Sequence, residues 1–167
     1  MDFTQISPLN LQDNLIKLIG KEYMLVTAGT KESNNCLTAS WGGMGYLWNK
    51  PVATIYIRPQ RYTKEFIDRE EYFTLSFFDD SFKKMFAYCG SKSGRDVNKV
   101  KECNLTTFET KNGSIAYTEA RLVVECKKVF AAPFEEKNFL DKSLLTNYAA
   151  QDYHIQYIGE ITDCLIK

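Results

Sequence analysis

The sequence predicts a mainly β fold: an antiparallel, six-stranded β-barrel with short helices, forming one domain over residues 1–167. Three observations lead there. Runs rich in β-branched and aromatic residues recur along the chain, which is the composition of strands. The stretches with helical spacing between them are short, so there is no βαβ rhythm. No G-x-G-x-x-G follows a strand, which disfavours a doubly wound nucleotide-binding sheet. With 167 residues, 44% of them hydrophobic, the chain can bury a sizeable core.

The elements follow in order. Ile6-Ser7-Pro8-Leu9 is extended by the restriction that proline places on its predecessor, and 14–20 suits a short helical turn or a strand. Residues 23–30 give the first barrel strand, and Lys31-Glu32-Ser33-Asn34-Asn35 a polar turn. A strand through Thr38-Ala39-Ser40-Trp41 then meets Gly42, Gly43 and Gly45, read as a tight glycine turn and loop. Val52–Ile57 is a β-branched and aromatic strand. Residues 63–70 fit a short helix with Phe66 and Ile67 inward, capped near Tyr62 or Thr63. Tyr72–Phe78 alternates as a strand. Asp79-Asp80-Ser81 is a helix-start signal, and Phe82, Met85, Phe86 and Cys89 share one face of the helix that follows, with Gly90 ending it. A basic loop over 91–95 leads to a second short helix over 96–102. Asn112-Gly113 signals a hairpin turn between 105–109 and 113–117. Residues 121–130 form a long strand, 139–150 an irregular or partly helical excursion, and 154–166 the last strand.

Composition narrows the function. Lys+Arg and Asp+Glu number 21 each, and this balance argues against nucleic acid or an anionic membrane as the main partner. No run approaches the twenty apolar residues of a membrane span, and Met1-Asp2-Phe3-Thr4-Gln5 has no basic region leading into an apolar one. The five cysteines are widely spaced without C-x-x-C. That disfavours a zinc site or a disulfide framework and suits reduced thiols in the cytoplasm. With His154 as the one histidine and no G-x-S-x-G, there is no hydrolytic triad. Redox chemistry would have to be carried by a cofactor.

The chain is organised around one stretch, residues 34–63. Its first strand and glycines let backbone approach a flat ligand closely. Its exit carries Arg58, Gln60, Arg61, Tyr62 and Thr63, cationic donors beside hydroxyls that suit a phosphate. A helix starting at this point also directs its free N–H groups at an anion. Planar slot, linker and anion site are together the shape of a flavin mononucleotide. Each piece read alone is more often an ordinary hairpin or a pair of solvated arginines.

The run T-A-S-W-G-G-M-G-x-L-W-N-K-P-V-A, then R-P-Q-R-Y-T-K-E and F-T-L-S-F-F, resembles the flavoredoxin-like branch of the flavin reductase family. So do Cys89-Gly90-Ser91-Lys92-Ser93-Gly94-Arg95-Asp96, Lys99, and Tyr153-His154 before Tyr157-Ile158-Gly159-Glu160-Ile161. The similarity spans roughly residues 20–165. It implies an FMN-binding split barrel. The backbone around Thr38, Ala39, Ser40 and Trp41 would bond the pyrimidine edge and N5 region. Arg58, Gln60, Arg61, Tyr62 and Thr63 would hold ribityl and phosphate groups, with Lys92, Ser93 or Lys99 adding charge. His154 would lie near the flavin or close a barrel end.

The chain departs from better-known flavin reductases at its glycine run, so Trp41, Met44 or Trp48 would wall the open face above the ring. The expected activity is FMN-dependent oxidoreduction. Electrons would pass from NAD(P)H or a protein donor to a flavin, metal or protein acceptor. The alternatives are a non-catalytic electron-carrier module and, less well matched, a pyridoxamine-phosphate-oxidase-like protein. High aromatic content, zero net charge and the resemblance together imply a homodimer with the flavin at or near its interface.

Overall fold

The structure, a computed structural model, describes residues 2–167. Its main sheet contains β1 (Thr4–Gln5), β2 (Met24–Gly29), β3 (Asn34–Ala39), β4 (Gly42–Leu47), β5 (Lys50–Ile57), β6 (Tyr72–Phe77), β9 (Leu122–Pro133) and β10 (Ile155–Ile166). Between β6 and β9, β7 (Thr107–Glu109) and β8 (Ile115–Tyr117) form a separate two-stranded sheet. The main order is β3-β2-β6-β9-β10-β5-β4, with β1 added along β10, and every pairing is antiparallel. The two ends of this path, β3 and β4, are joined in sequence by Ser40-Trp41 alone, so the sheet curls until its edges meet at that corner.

The main sheet therefore has eight strands rather than six. Part of the difference lies in the glycine run, which is not a turn. Gly42, Gly43 and Gly45 sit within β4, paired with Ile55, Thr54 and Val52. Gly42 is glycine because a Cβ there would stand 2.7 Å from the Thr54 carbonyl oxygen and 3.0 Å from Met24 Cε. The turn falls at Trp48-Asn49, both with positive φ (52° and 58°), closing a two-residue hairpin between Leu47 and Lys50.

Packing follows from strand periodicity. Along β2, Met24, Val26 and Ala28 face the barrel interior, while Leu25 faces a second cluster outside it. Both faces are covered, so every residue of β2 is buried. Phe73, Leu75, Phe77, Val124 and Tyr157 complete the interior; burying each such side chain contributes roughly 1.5–3 kcal/mol. Along β9, Leu122 and Val124 belong to the interior and Val123 to the outer cluster, so both faces of the first part of that strand are covered too. The long strand β10 bends at register shifts, and Gly159 lies at one of them. A Cβ at Gly159 would lie 2.7 Å from Cys126 Cβ and 2.8 Å from the Phe73 ring, so the bend and the close packing need the same residue.

The helices are short. α1 (Leu15–Lys17) runs into a wider helical turn over Leu18–Glu22, which settles 14–20 as helical. α2 (Thr63–Arg69) buries Phe66 and Ile67. α3 (Lys83–Ser91) buries Met85, Phe86 and Cys89 against the outer cluster, with Phe82 at its edge. It continues through Gly90 to Ser91. α4 (Lys99–Glu102) is shorter than the spacing predicts, because the Asn98 side chain accepts from Lys101 N (3.0 Å) and caps the helix there.

Gly113 occupies the β7–β8 turn at φ +82°, with nothing near its missing Cβ. Gly113→Ala is expected to cost about 1 kcal/mol through backbone strain alone. Chemical denaturation of the variant checks this, and an unchanged midpoint would contradict it.

Candidate functional site

Two adjoining clefts lie along β3, the end of β5 and the start of α2. The first, about 230 Å³, is lined by Leu37, Thr38, Ala39, Ser40, Trp41, Tyr56, Ile57, Arg58, Arg61 and His154. The second, about 350 Å³, is lined by Asn35, Leu37, Gln60, Arg61, Tyr62, Thr63, Ser91, Lys92, Ser93, Gly94 and Lys99. They share Leu37 and Arg61. All the candidate residues read from the sequence line one or the other. Thr38, Ala39, Ser40, Trp41, Arg58 and His154 stand at the first, Gln60, Tyr62, Thr63, Lys92, Ser93 and Lys99 at the second, and Arg61 at the junction.

The cations at the second cleft are placed by helix-end chemistry. The last turn of α3 leaves carbonyls without intrahelical partners. Lys99 Nζ donates to the Cys89 carbonyl (2.9 Å) and also to the Cys36 carbonyl on β3 (2.7 Å). Arg61 Nη1 donates to the Gly90 carbonyl (3.1 Å). Both cations thus complement the negative end of α3. Lys99 is buried, and that burial holds its pKa below the ordinary lysine value. A lysine ammonium has three donors and a guanidinium five, so both groups keep donors beyond the bonds that anchor them.

Thr63 is buried at the first turn of α2, and its Oγ1 accepts from Asn35 Nδ2 (2.8 Å). Asn35 in turn packs so tightly on Gly94 that a Cβ there would lie 1.9 Å from Asn35 Oδ1. Ser93 Oγ accepts from Arg95 N (3.2 Å), and Arg95 lies over the Tyr62 ring, 4.5 Å from its centroid. The loop 91–95 is therefore fitted closely onto β3 and α2.

Arg58 is engaged differently. It pairs with Asp152 (2.6 Å), donates to the Asn147 carbonyl (2.9 Å) and lies over the Tyr148 ring. Gln60 Nε2 also donates to Asp152 (2.7 Å). The Gln60 amide and the Arg58 guanidinium hold the Asp152 carboxyl below its ordinary value. Asp152 offsets the charge of Arg58, so Arg61, Lys92 and Lys99 supply the net positive field. Asn35, Tyr148 and Asp152 escaped the sequence reading. Only the polar Asn34-Asn35 pair before a strand offered a local signal, and that read as a turn.

At the first cleft Thr38 Oγ1 donates to the Phe86 carbonyl (2.6 Å), fixing β3 to α3. The half-exposed Trp41 has its ring 5.1 Å from that of His154. Its other side borders an apolar hollow lined by Leu15, Ile19, Met44, Tyr56 and Phe134. Trp48 sits instead at the hairpin tip beside Phe130, 6.4 Å between rings.

His154 shares a hydrogen bond between Nδ1 and the Tyr148 hydroxyl (2.8 Å). Burial, then the Arg58 charge, pushes its pKa down from 6.5 to about 4, so it is neutral at physiological pH. As pH falls below 6.5 the unfolded chain binds a proton that the folded chain refuses, and stability is lost down to about pH 4. His154→Gln is expected to flatten the decline of melting temperature across that window. An identical pH profile would contradict the assignment.

The sequence pattern described as the flavin reductase like domain matches residues 17–167. A comparison with curated proteins finds no match. Among solved structures, a flavoredoxin from Methanosarcina acetivorans superposes with TM-score 0.72 at 20% identity, covering 97% of this chain and 76% of that one. An FMN-binding domain of a flavin reductases-like enzyme from Shewanella baltica gives 0.71 at 18%, covering 99% and 77%. A Streptomyces globisporus NADH:FAD oxidoreductase gives 0.68 at 13%, covering 87% and 75%.

Proposed function

The chain belongs to the flavin reductase-like domain family, and we propose that it binds FMN and acts as an FMN-dependent oxidoreductase. The reading rests on one observation above all. A flat slot of strand backbone and aromatic side chains opens, through Arg61 and Leu37, into a cleft ringed by cations. The donor set fits the group: Arg61, Lys92, Lys99 and the 91–94 loop would hold the phosphate, and the strand backbone and aromatic side chains of the first cleft would hold the planar ring. FMN bound there supplies the ability to accept two electrons and pass them on. The chain's own residues do the rest. Trp41 and the 38–41 backbone would cover the ring on one side, and His154, neutral, would present no charge to it. The ion pair with Asp152 fixes Arg58 in the lining of the same cleft.

Electrons would enter from NAD(P)H or a protein donor and leave to a flavin, metal or protein acceptor. The wider family supports this range, since one structural neighbour is named an NADH:FAD oxidoreductase and another a flavoredoxin. Anaerobic mixing of the flavin-loaded protein with NADH and with NADPH tests it. Rapid bleaching of flavin absorbance with either supports an oxidoreductase with its own turnover. No bleaching with either leaves an electron-carrier module served by a protein partner.

A homodimer belongs to the same proposal. Trp41, Tyr46, Leu47, Trp48 and Phe130 are all large, apolar and exposed, and zero net charge leaves little repulsion between copies. Light scattering should give twice the 19.3 kDa chain mass. A monomer that retains stoichiometric FMN would contradict a shared site.

A further inference from the structure

Behind the cationic cleft lie three thiols that the proposed function does not use. Cys36, buried on β3, stands beside Cys89 and Tyr117. Cys89, on the last turn of α3, has its Sγ 3.8 Å from that of Cys103, at the C-terminal cap of α4. All five cysteines are free. Cys126 and Cys164 are buried in the barrel interior.

We propose that Cys89 and Cys103 form a dithiol–disulfide pair, closed by thiol–disulfide exchange with a small-molecule disulfide, and that closure staples both ends of the segment that walls the cationic cleft.

Three features of the structure support this. The sulfurs are already in contact, and a disulfide needs them about 2.05 Å apart, a shift that rotation of two short side chains and slight movement of the α4 cap can supply. Access is graded: Cys103 is partly exposed, whereas Cys89 is buried. The residues between them include Ser91, Lys92, Ser93, Gly94 and Lys99, all on the cleft wall, while the carbonyl of Gly90 anchors Arg61. A bond between residues 89 and 103 therefore encloses this wall of the cleft in one loop, and such closure restricts the loop's open conformations.

The exchange balances. The Cys103 thiolate attacks one sulfur of R–S–S–R, forming a Cys103–S–SR bond and releasing RS⁻. The Cys89 thiolate then attacks Cys103 Sγ, forming the protein disulfide and releasing the second RS⁻. Two protein thiols are oxidised and one small disulfide is reduced to two thiols. The two thiol protons leave with the departing thiolates.

The test uses the purified full chain and an excess of oxidised glutathione, followed by alkylation in denaturant and peptide mapping. The expected result is one linked peptide joining Cys89 to Cys103, with the other three cysteines alkylated. Cys103→Ser, at the less buried position, should abolish the link, and Cys89→Ser should trap glutathione on Cys103. Five alkylated cysteines, a persistent adduct on wild-type Cys103, or a link between another pair would overturn the proposal. The effect on the cleft rests on the FMN reading and is measured separately as the rate of FMN release. Oxidised wild type should release FMN several-fold more slowly than reduced wild type, and Cys103→Ser should not respond. Equal rates would overturn the staple. Failure of both forms to hold FMN would overturn the flavin reading, while a mapped 89–103 link would still establish the pair.

Discussion

Replacing Lys99 with methionine is expected to lower stability by about 3 kcal/mol and to weaken FMN binding at the same time. Among the described residues no carboxylate pairs with this buried ammonium, and desolvation works against it, so its pKa is depressed. Two charge-assisted bonds oppose that cost, to the Cys36 and Cys89 carbonyls, each worth roughly 1.5–3 kcal/mol. The carbonyl at Cys89 belongs to the end of α3, where a cation is also favoured by the helix dipole. Methionine matches the length of the stem but leaves both carbonyls unsatisfied, each about 1–3 kcal/mol. The bonds therefore outweigh the desolvation, and in the variant β3 keeps only the Thr38–Phe86 hydrogen bond as its polar tie to α3 among those described. Urea denaturation measures the first effect and FMN titration the second. A variant as stable as wild type would mean that water replaces the ammonium at no cost.

Arg61→Ala is expected to weaken FMN binding tenfold or more, at least about 1.4 kcal/mol. Arg61 stands at the junction of the two clefts. Among the described residues its side chain bonds the Gly90 carbonyl, and its further donors can form a bidentate pair with phosphate. Arg58 cannot substitute, since Asp152 and the Asn147 carbonyl engage it. Arg61→Lys should recover part of the loss, because charge is kept but the planar fork is not. Unchanged affinity in Arg61→Ala would remove this residue from the phosphate site.

Much of the fold was legible because local periodicity coincided with tertiary environment. The inward face of α3 was written at helical spacing in Met85, Phe86 and Cys89, and all three are buried. Strand β10 ran unbroken from Ile155 to Ile166 as the sequence pattern implied. The glycine strand β4 was not legible, since three glycines read locally as a turn. The pressure of Thr54 and Met24 explains Gly42 as strand, whereas nothing lies near the missing Cβ of Gly45. The true turn hides at Trp48-Asn49, where no glycine announces the positive φ.

The cleft-lining residues on 38–63 could be read together because one continuous stretch builds most of both walls. The partners that fix them could not. Asn35 reaches Thr63, and Asp152 reaches Arg58 and Gln60, through contacts distant in sequence that no local pattern encodes.

The central claim, that these two clefts together hold one FMN, is tested most directly by titrating flavin-free protein with FMN and following flavin absorbance and fluorescence. The account predicts saturable binding of one FMN per chain with a dissociation constant of about 1 μM or tighter, weakened in Arg61→Ala. Absence of saturable binding at millimolar FMN, or equal affinity for riboflavin lacking the phosphate, would contradict it.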